Sequence, residues 1–212
     1  MSVNTIIDKF FMEWQVYKEF YRKTIFTVLI SGILTALLLF FASLYFENFI
    51  IEQSRNIAEQ TAEVNNKEKL TNLHNFFSIL VNNLFVGGII ILLGFLPVYG
   101  LPFIIGLLSF AAVGILSGYG LIMEHNVIKT LIIAFVPHAV IEIIPILYSV
   151  AIGMYVNKNI FKKVFFRKMT TYNIREIIKN GIKSYILIII PLFFLAALVE
   201  AFITSYLVEI YL

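Results

Sequence analysis

His138 and Glu142 stand one helical turn apart inside Ala134–Gly153, AFVPHAVIEIIPILYSVAIG, an otherwise apolar run. At i and i+4 of a helix two side chains lie on one face, about 6 Å apart, so an imidazole and a carboxylate can share a proton, a ligand or a metal ion. An ionisable group in hydrocarbon costs ~2.5–3.5 kcal/mol on insertion scales, which makes it a functional-site hypothesis by default. Pro137 and Pro145 flank the pair. Each removes a helical hydrogen bond and frees a carbonyl one turn earlier, which a membrane helix accepts where neighbours or water satisfy the freed group. The stretch reads as the wall of a polar pocket within a bilayer.

Glu200 and the Asn82–Asn83 pair are the other polar residues set deep in apolar runs. His138, Glu142 and Glu200, with water at an open position, form a candidate zinc site: three protein ligands plus water is the catalytic zinc pattern, and one imidazole with two carboxylates is acceptable chemistry for it. Water activated there can attack a peptide carbonyl, with Asn82 or Asn83 orienting the substrate or stabilising the oxyanion. Neighbours on a helix point about 100° apart, so only one of these asparagines faces such a pocket. A metal-free version uses Glu142 and Glu200 as an acid/base pair. The plain alternative is a hydrogen-bonded network that pins helices together. Glu209, His74 and the Glu124–His125 pair fall at span ends, where solvation explains them.

The elements that position these groups follow from composition. Hydrophobic residues make up 60% of the 212 and charged residues only 14%, whereas soluble domains are about 45–50% apolar. The chain is therefore read as an integral membrane protein. A net charge of +3 gives no support to nucleic-acid binding. With no cysteine, disulfides, thiolate metal sites and cysteine nucleophiles are excluded. There is also no phosphate-binding glycine loop and no plausible serine triad.

Along the chain, residues 1–23 read as an amphipathic interfacial helix, with Ile7, Phe10, Phe11, Trp14, Tyr17 and Tyr21 near a 3.6 period among Lys9, Lys18, Arg22 and Lys23. Residues 24–212 read as one membrane domain. Its apolar runs, Thr24–Phe46, Phe76–Leu96, Leu101–Leu121, Thr130–Val156 and Ser184–Tyr211, each hold the roughly 20 residues that a helical span needs. The expected fold is an all-α, polytopic transmembrane helical bundle of about five spans. Pro97, Gly100 and Pro102 mark a tight turn between the second and third runs, and Gly114 with Gly118 offers a small-xxx-small face for close helix contact. A polar loop over 47–75 carries Glu47, Glu52, Glu59, Glu63 and Glu68 against Arg55, Lys67 and Lys69. A basic segment over 157–183 carries Lys158, Lys162, Lys163, Arg167, Lys168, Arg175, Lys179 and Lys183 against Glu176.

In this count both basic stretches fall on one side. The positive-inside rule then makes the amino terminus cytoplasmic, the 47–75 loop external and the carboxyl terminus external. At ~1.5 Å per helical residue, Asn82 and Asn83 lie roughly 10 Å from the outer face, His138 roughly 12 Å, Glu142 roughly 18 Å and Glu200 roughly 15 Å. The polar groups of separate spans converge in depth.

The motifs N-N-L at Asn82–Leu84 before a Gly-containing apolar run, P-H-x-x-x-E at Pro137–Glu142 with Gly153 downstream, and A-A-x-x-E-A-F at Ala196–Phe202 occur in the order seen in membrane proteins related to stage II sporulation protein M. The chain resembles that family over most of Phe76–Phe202, with Ala139 where the family usually has glycine. The resemblance implies a multi-pass cell-membrane protein. Some relatives are associated with septal and envelope remodelling, others with the maturation or export of circular bacteriocins, and P-H-x-x-x-E is closer to the latter group. The expected function is thus maturation of a hydrophobic peptide in the membrane, by leader cleavage or peptide ligation, in the manner of an embedded peptidase or cyclase. Expected partners are membrane lipids, the peptide or other membrane proteins, an ABC-type ATPase, or a second copy of the chain. The alternative is a non-catalytic subunit for export or immunity, or an envelope scaffold.

Overall fold

The computed structural model describes residues 3–52, 72–123, 126–166 and 174–211, with side chains from residue 7 onward. Most of the polar loop (Arg55, Glu59, Glu63, Lys67, Glu68, Lys69), the Glu124–His125 pair, and Arg167 and Lys168 lie outside the described residues. Among the described residues every element is helical. Five continuous helices are long and apolar enough to cross a membrane: Ile7–Tyr45, Asn72–Leu93, Leu101–Ile122, Val127–Phe166 and Ile174–Tyr211. The protein is an all-α membrane bundle.

Several of these helices outrun the apolar segments that define them. Helix α1 (Val3–Val16) passes through a π turn at Tyr17–Tyr21 into α2 (Arg22–Tyr45). Because charged residues continue as far as Lys23, the uncharged stretch long enough to cross the hydrocarbon core is α2. Helix α3 (Asn72–Leu93) turns tightly into α4 (Leu101–Ile122), with Gly100 supplying a left-handed φ of 85° that a side chain would resist. A short helical turn and a π turn at Leu131–Phe135 lead into α5 (Val136–Phe166). The last helix comprises α6 (Ile174–Ser184), a π turn at Tyr185–Ile189, α7 (Ile190–Leu198), a π turn at Val199–Thr204 and α8 (Ser205–Tyr211). The basic segment expected between the fourth and fifth spans is therefore helical at both described ends.

Helix α5 is the axis of the bundle. It packs against α2, α3, α4 and α7, and its middle, from Pro145 to Gly153, is almost wholly buried. Around it lie Val28, Ile90 and Phe110 on one side and Tyr21, Ile189 and Phe193 on another. Large apolar side chains such as Leu38, Phe85, Leu116 and Ile186 face outward, as lipid contact requires. Lipid tails leave no hydrophobic drive between helices, so association depends on close packing. The glycines provide it. Gly114 and Gly118 of α4 lie against Ala36, Phe40 and Ser43 of α2, and Gly94 at the end of α3 lies against Gly153 of α5.

One buried side chain ties the far end of the bundle together. The Asn157 carboxamide accepts from the Gly100 amide at 3.0 Å and donates to the carbonyls of Leu96 at 2.7 Å and Val98 at 3.1 Å. The α3–α4 turn leaves these backbone groups without helical partners, and Asn157 supplies them.

Candidate functional site

His138 and Glu142 project from the first turns of α5, and Glu200 from the π turn at Val199–Thr204. The two elements approach closely because the last helix meets its neighbours with Ala196, Ala197 and Ala201, all essentially fully buried. Phe76 of α3 fills the space over Ala197 and Ala201. The alanines of A-A-x-x-E-A-F are therefore the small residues that bring Glu200 to α5.

One ligand atom each from His138, Glu142 and Glu200 lies within 4.8 Å of the other two. Zinc bonds of about 2.0–2.1 Å would hold tetrahedral donors about 3.4 Å apart, so side-chain movements of about 1 Å close the group around an ion. Two carboxylates and an imidazole this close form a donor set that a single cation can bridge. All three residues are half-buried, so the group is sheltered yet still reachable.

The backbone prepares this arrangement. Pro137 and Pro191 each leave a carbonyl one turn back without its usual partner, and in both cases the preceding turn widens. Val136 N–H bonds to the Leu131 carbonyl and Ile190 N–H to the Tyr185 carbonyl, both i to i−5. Pro145 is buried in a regular helix, and its own carbonyl accepts from the Ser149 hydroxyl at 2.9 Å. The turn bearing Glu200 is also a π turn, closed by Ser205 N–H on the Glu200 carbonyl. Such turns occur often at functional sites.

Thr204 was not singled out in the sequence, although it lies one turn beyond Glu200 on the same face. It is buried, and its hydroxyl stands 3.4 Å from His138 Nδ1. Metal-binding histidines commonly anchor the non-ligating ring nitrogen in this way, which fixes the tautomer and frees the other nitrogen. The asparagines divide: Asn82 is exposed on the outer surface of α3, whereas Asn83 is buried and its side-chain nitrogen has no hydrogen-bond partner. Next in the motif, the Leu84 carbonyl accepts from the Tyr185 hydroxyl at 2.8 Å, and Gly88 lies beside that hydroxyl.

No curated protein and no solved structure matches the chain. The family model described as Stage II sporulation protein M matches residues 23–205, which takes in α2 as well as every motif from Asn82 to Phe202, and the chain belongs to that family.

Proposed function

We propose that this membrane protein matures a hydrophobic peptide within the bilayer, cleaving or ligating it at the His138, Glu142 and Glu200 group, as in circular bacteriocin maturation. The observation that carries this reading is the meeting of one imidazole and two carboxylates from separate helices within 4.8 Å. In cleavage, water adds to the scissile carbonyl, the C–N bond breaks and the proton passes to the leaving amine. In ligation, a terminal amine adds to a peptide carbonyl in place of water, the C–N bond breaks and the amine of the segment downstream of that bond departs with the proton. Zinc held by the three side chains would supply Lewis acidity. Without it, Glu142 takes the proton from the attacking group and Glu200 returns one to the leaving amine. Asn83, with a free N–H donor, is suited to hold the substrate carbonyl or its oxyanion. A cavity of about 700 Å³, bounded by residues such as Leu116, Leu131, Ala134 and Phe135, offers room for apolar side chains, and the Phe135 ring meets His138 edge-on at 5.8 Å.

A second reading rests on the His138–Thr204 contact, which by itself joins two helices. In that case the chain is a non-catalytic subunit beside an ABC-type ATPase, or a scaffold. Elemental mass spectrometry of the detergent-purified protein, paired with processing of a co-produced peptide, separates the two. Near-stoichiometric metal in the wild type, lost with activity in His138→Ala and Glu142→Gln, is the expected outcome. Full processing by Glu142→Gln would overturn the catalytic reading. Activity lost without metal in the wild type would point to the carboxylate pair alone.

A further inference from the structure

Helix α5 does not stop where the bundle meets the membrane surface. Asn157 holds the α3–α4 turn against it, and the same helix runs on to Phe166. That turn joins two helices that are long and apolar enough to cross a membrane, so it marks the level of one bilayer surface. At ~1.5 Å per residue, Lys158, Phe161 and Lys162 lie within roughly 8 Å of Asn157 along the helix. The head-group layer is itself roughly 5–8 Å deep on each side of a bilayer, so these side chains fall at its level.

Lys158, Phe161, Lys162 and Phe165 stand at i, i+3, i+4 and i+7 and share one face of α5. The Tyr99 ring of the turn packs on Phe161 at 5.5 Å between centroids, and Phe161 on Phe165 at 4.6 Å. Both lysines, Tyr99 and Phe165 are exposed. Neither lysine has an ion-pair partner among the described residues, and no Asp or Glu occurs over 69–123 or 143–175, the stretches that build this face. Like charges at i and i+4 oppose a helix. The helix dipole favours Lys163, which is in the last turn, but Lys158 and Lys162 come before that turn. We propose that this face binds the phosphate of an anionic phospholipid, the two lysines meeting its charge while Tyr99, Phe161 and Phe165 lie against the glycerol and upper acyl chains. Basic and aromatic side chains are the groups that hold a protein at an anionic membrane surface. An acidic protein surface would match the charge as well, but a face set at the end of two membrane helices is in contact with lipid. The site uses none of His138, Glu142 and Glu200 and does not depend on their chemistry.

The test places a fluorescent reporter at the face. Trp14 is the single tryptophan of the chain, so Trp14→Phe combined with Tyr99→Trp leaves one indole there. The full chain is reconstituted in vesicles of phosphatidylglycerol and phosphatidylcholine with matched acyl chains, and one lipid or the other is supplied brominated so that it quenches the indole on contact. Phosphatidylglycerol should quench preferentially. Lys158→Gln and Lys162→Gln should each lower that preference by up to roughly five-fold, the effect of one lysine at an anionic surface. Lys129→Gln, an exposed lysine at the start of the fourth membrane helix, should leave it unchanged. A general pull of net charge on anionic lipid would act everywhere, so a second reporter, Phe85→Trp in the Trp14→Phe chain, is placed on the outward surface of α3 and should show no preference. Unfolding midpoints confirm that each variant is folded. Equal quenching by the two lipids at position 99 overturns the proposal, and the face is then left to a protein partner. A preference that survives Lys158→Gln with Lys162→Gln, or one that is equally strong at position 85, overturns it too.

Discussion

Thr204 and Asn157 show two different tasks for a buried polar side chain in a membrane protein. Thr204 touches a ring nitrogen of His138, so its effect should be read at that ring. Thr204→Val keeps the shape and removes the hydroxyl, and it should lower metal affinity about 10–100-fold, as loss of such an outer partner does. Metal titration of the purified variant checks this, and unchanged thermal unfolding would show that the helices still meet. Asn157 touches only backbone. Asn157→Leu should destabilise the protein by roughly 1–3 kcal/mol for each buried group left unpaired, seen as a lower unfolding midpoint in detergent with metal content intact. His138 and Glu142 were legible because their spacing on one helix is a local property. Thr204 was not, since its partner lies 66 positions away along the chain and a threonine in an apolar run more often bonds to its own helix. Asn157 was hidden by the lysines around it, which made its stretch look like solvated surface.

The helices themselves were largely legible, and their ends were not. Hydropathy locates what must sit in hydrocarbon, but a helix continues until something stops it. Thus α5 runs on past Lys158, Lys162 and Lys163 to Phe166, a stretch with no glycine or proline to break it. Pro137 and Pro145 were expected to disturb the backbone; the turn before Pro137 is widened, as is the one before Pro191, whereas Pro145 sits within regular helix. The π turns at Tyr17–Tyr21 and Val199–Thr204 contain no proline, and no residue type marks them; they follow from how neighbouring helices dock. Contact faces, by contrast, follow from residue size. Gly114 and Gly118 were expected to mark a close helix contact, and both lie against α2. Since a Cβ at Gly114 would meet the Ala36 backbone, Gly114→Leu must push α2 and α4 apart. Overpacking of this kind costs about 1–3 kcal/mol, so the variant should unfold earlier. Ile115→Leu, one position along and partly lipid-exposed, should not.

Taken whole, the molecule is polar in different ways at its two ends. Helix α1, the end of α5 and α6 gather at one end, with Lys9, Lys179 and Lys183 around one cavity. The α3–α4 turn is at that end too, because Asn157 holds it. His138, Glu142 and Glu200 belong to the opposite half, near the start of α5 and the end of the last helix. If the lysine-rich end faces the cytoplasm, as the positive-inside rule requires, a peptide reaching the His138 group enters from the outer half of the bilayer, and an ATPase would dock on the other face. The absence of cysteine makes this directly testable, because any introduced thiol is unique. Val98 in the α3–α4 turn and Glu209 near the carboxyl end are both exposed, and neither side chain takes part in a contact described above. In intact cells, a membrane-impermeant maleimide should label Glu209→Cys and spare Val98→Cys until the membrane is opened. The reverse pattern would invert the protein, put the His138 group in the cytoplasmic half, and require the peptide to be processed before it crosses the bilayer.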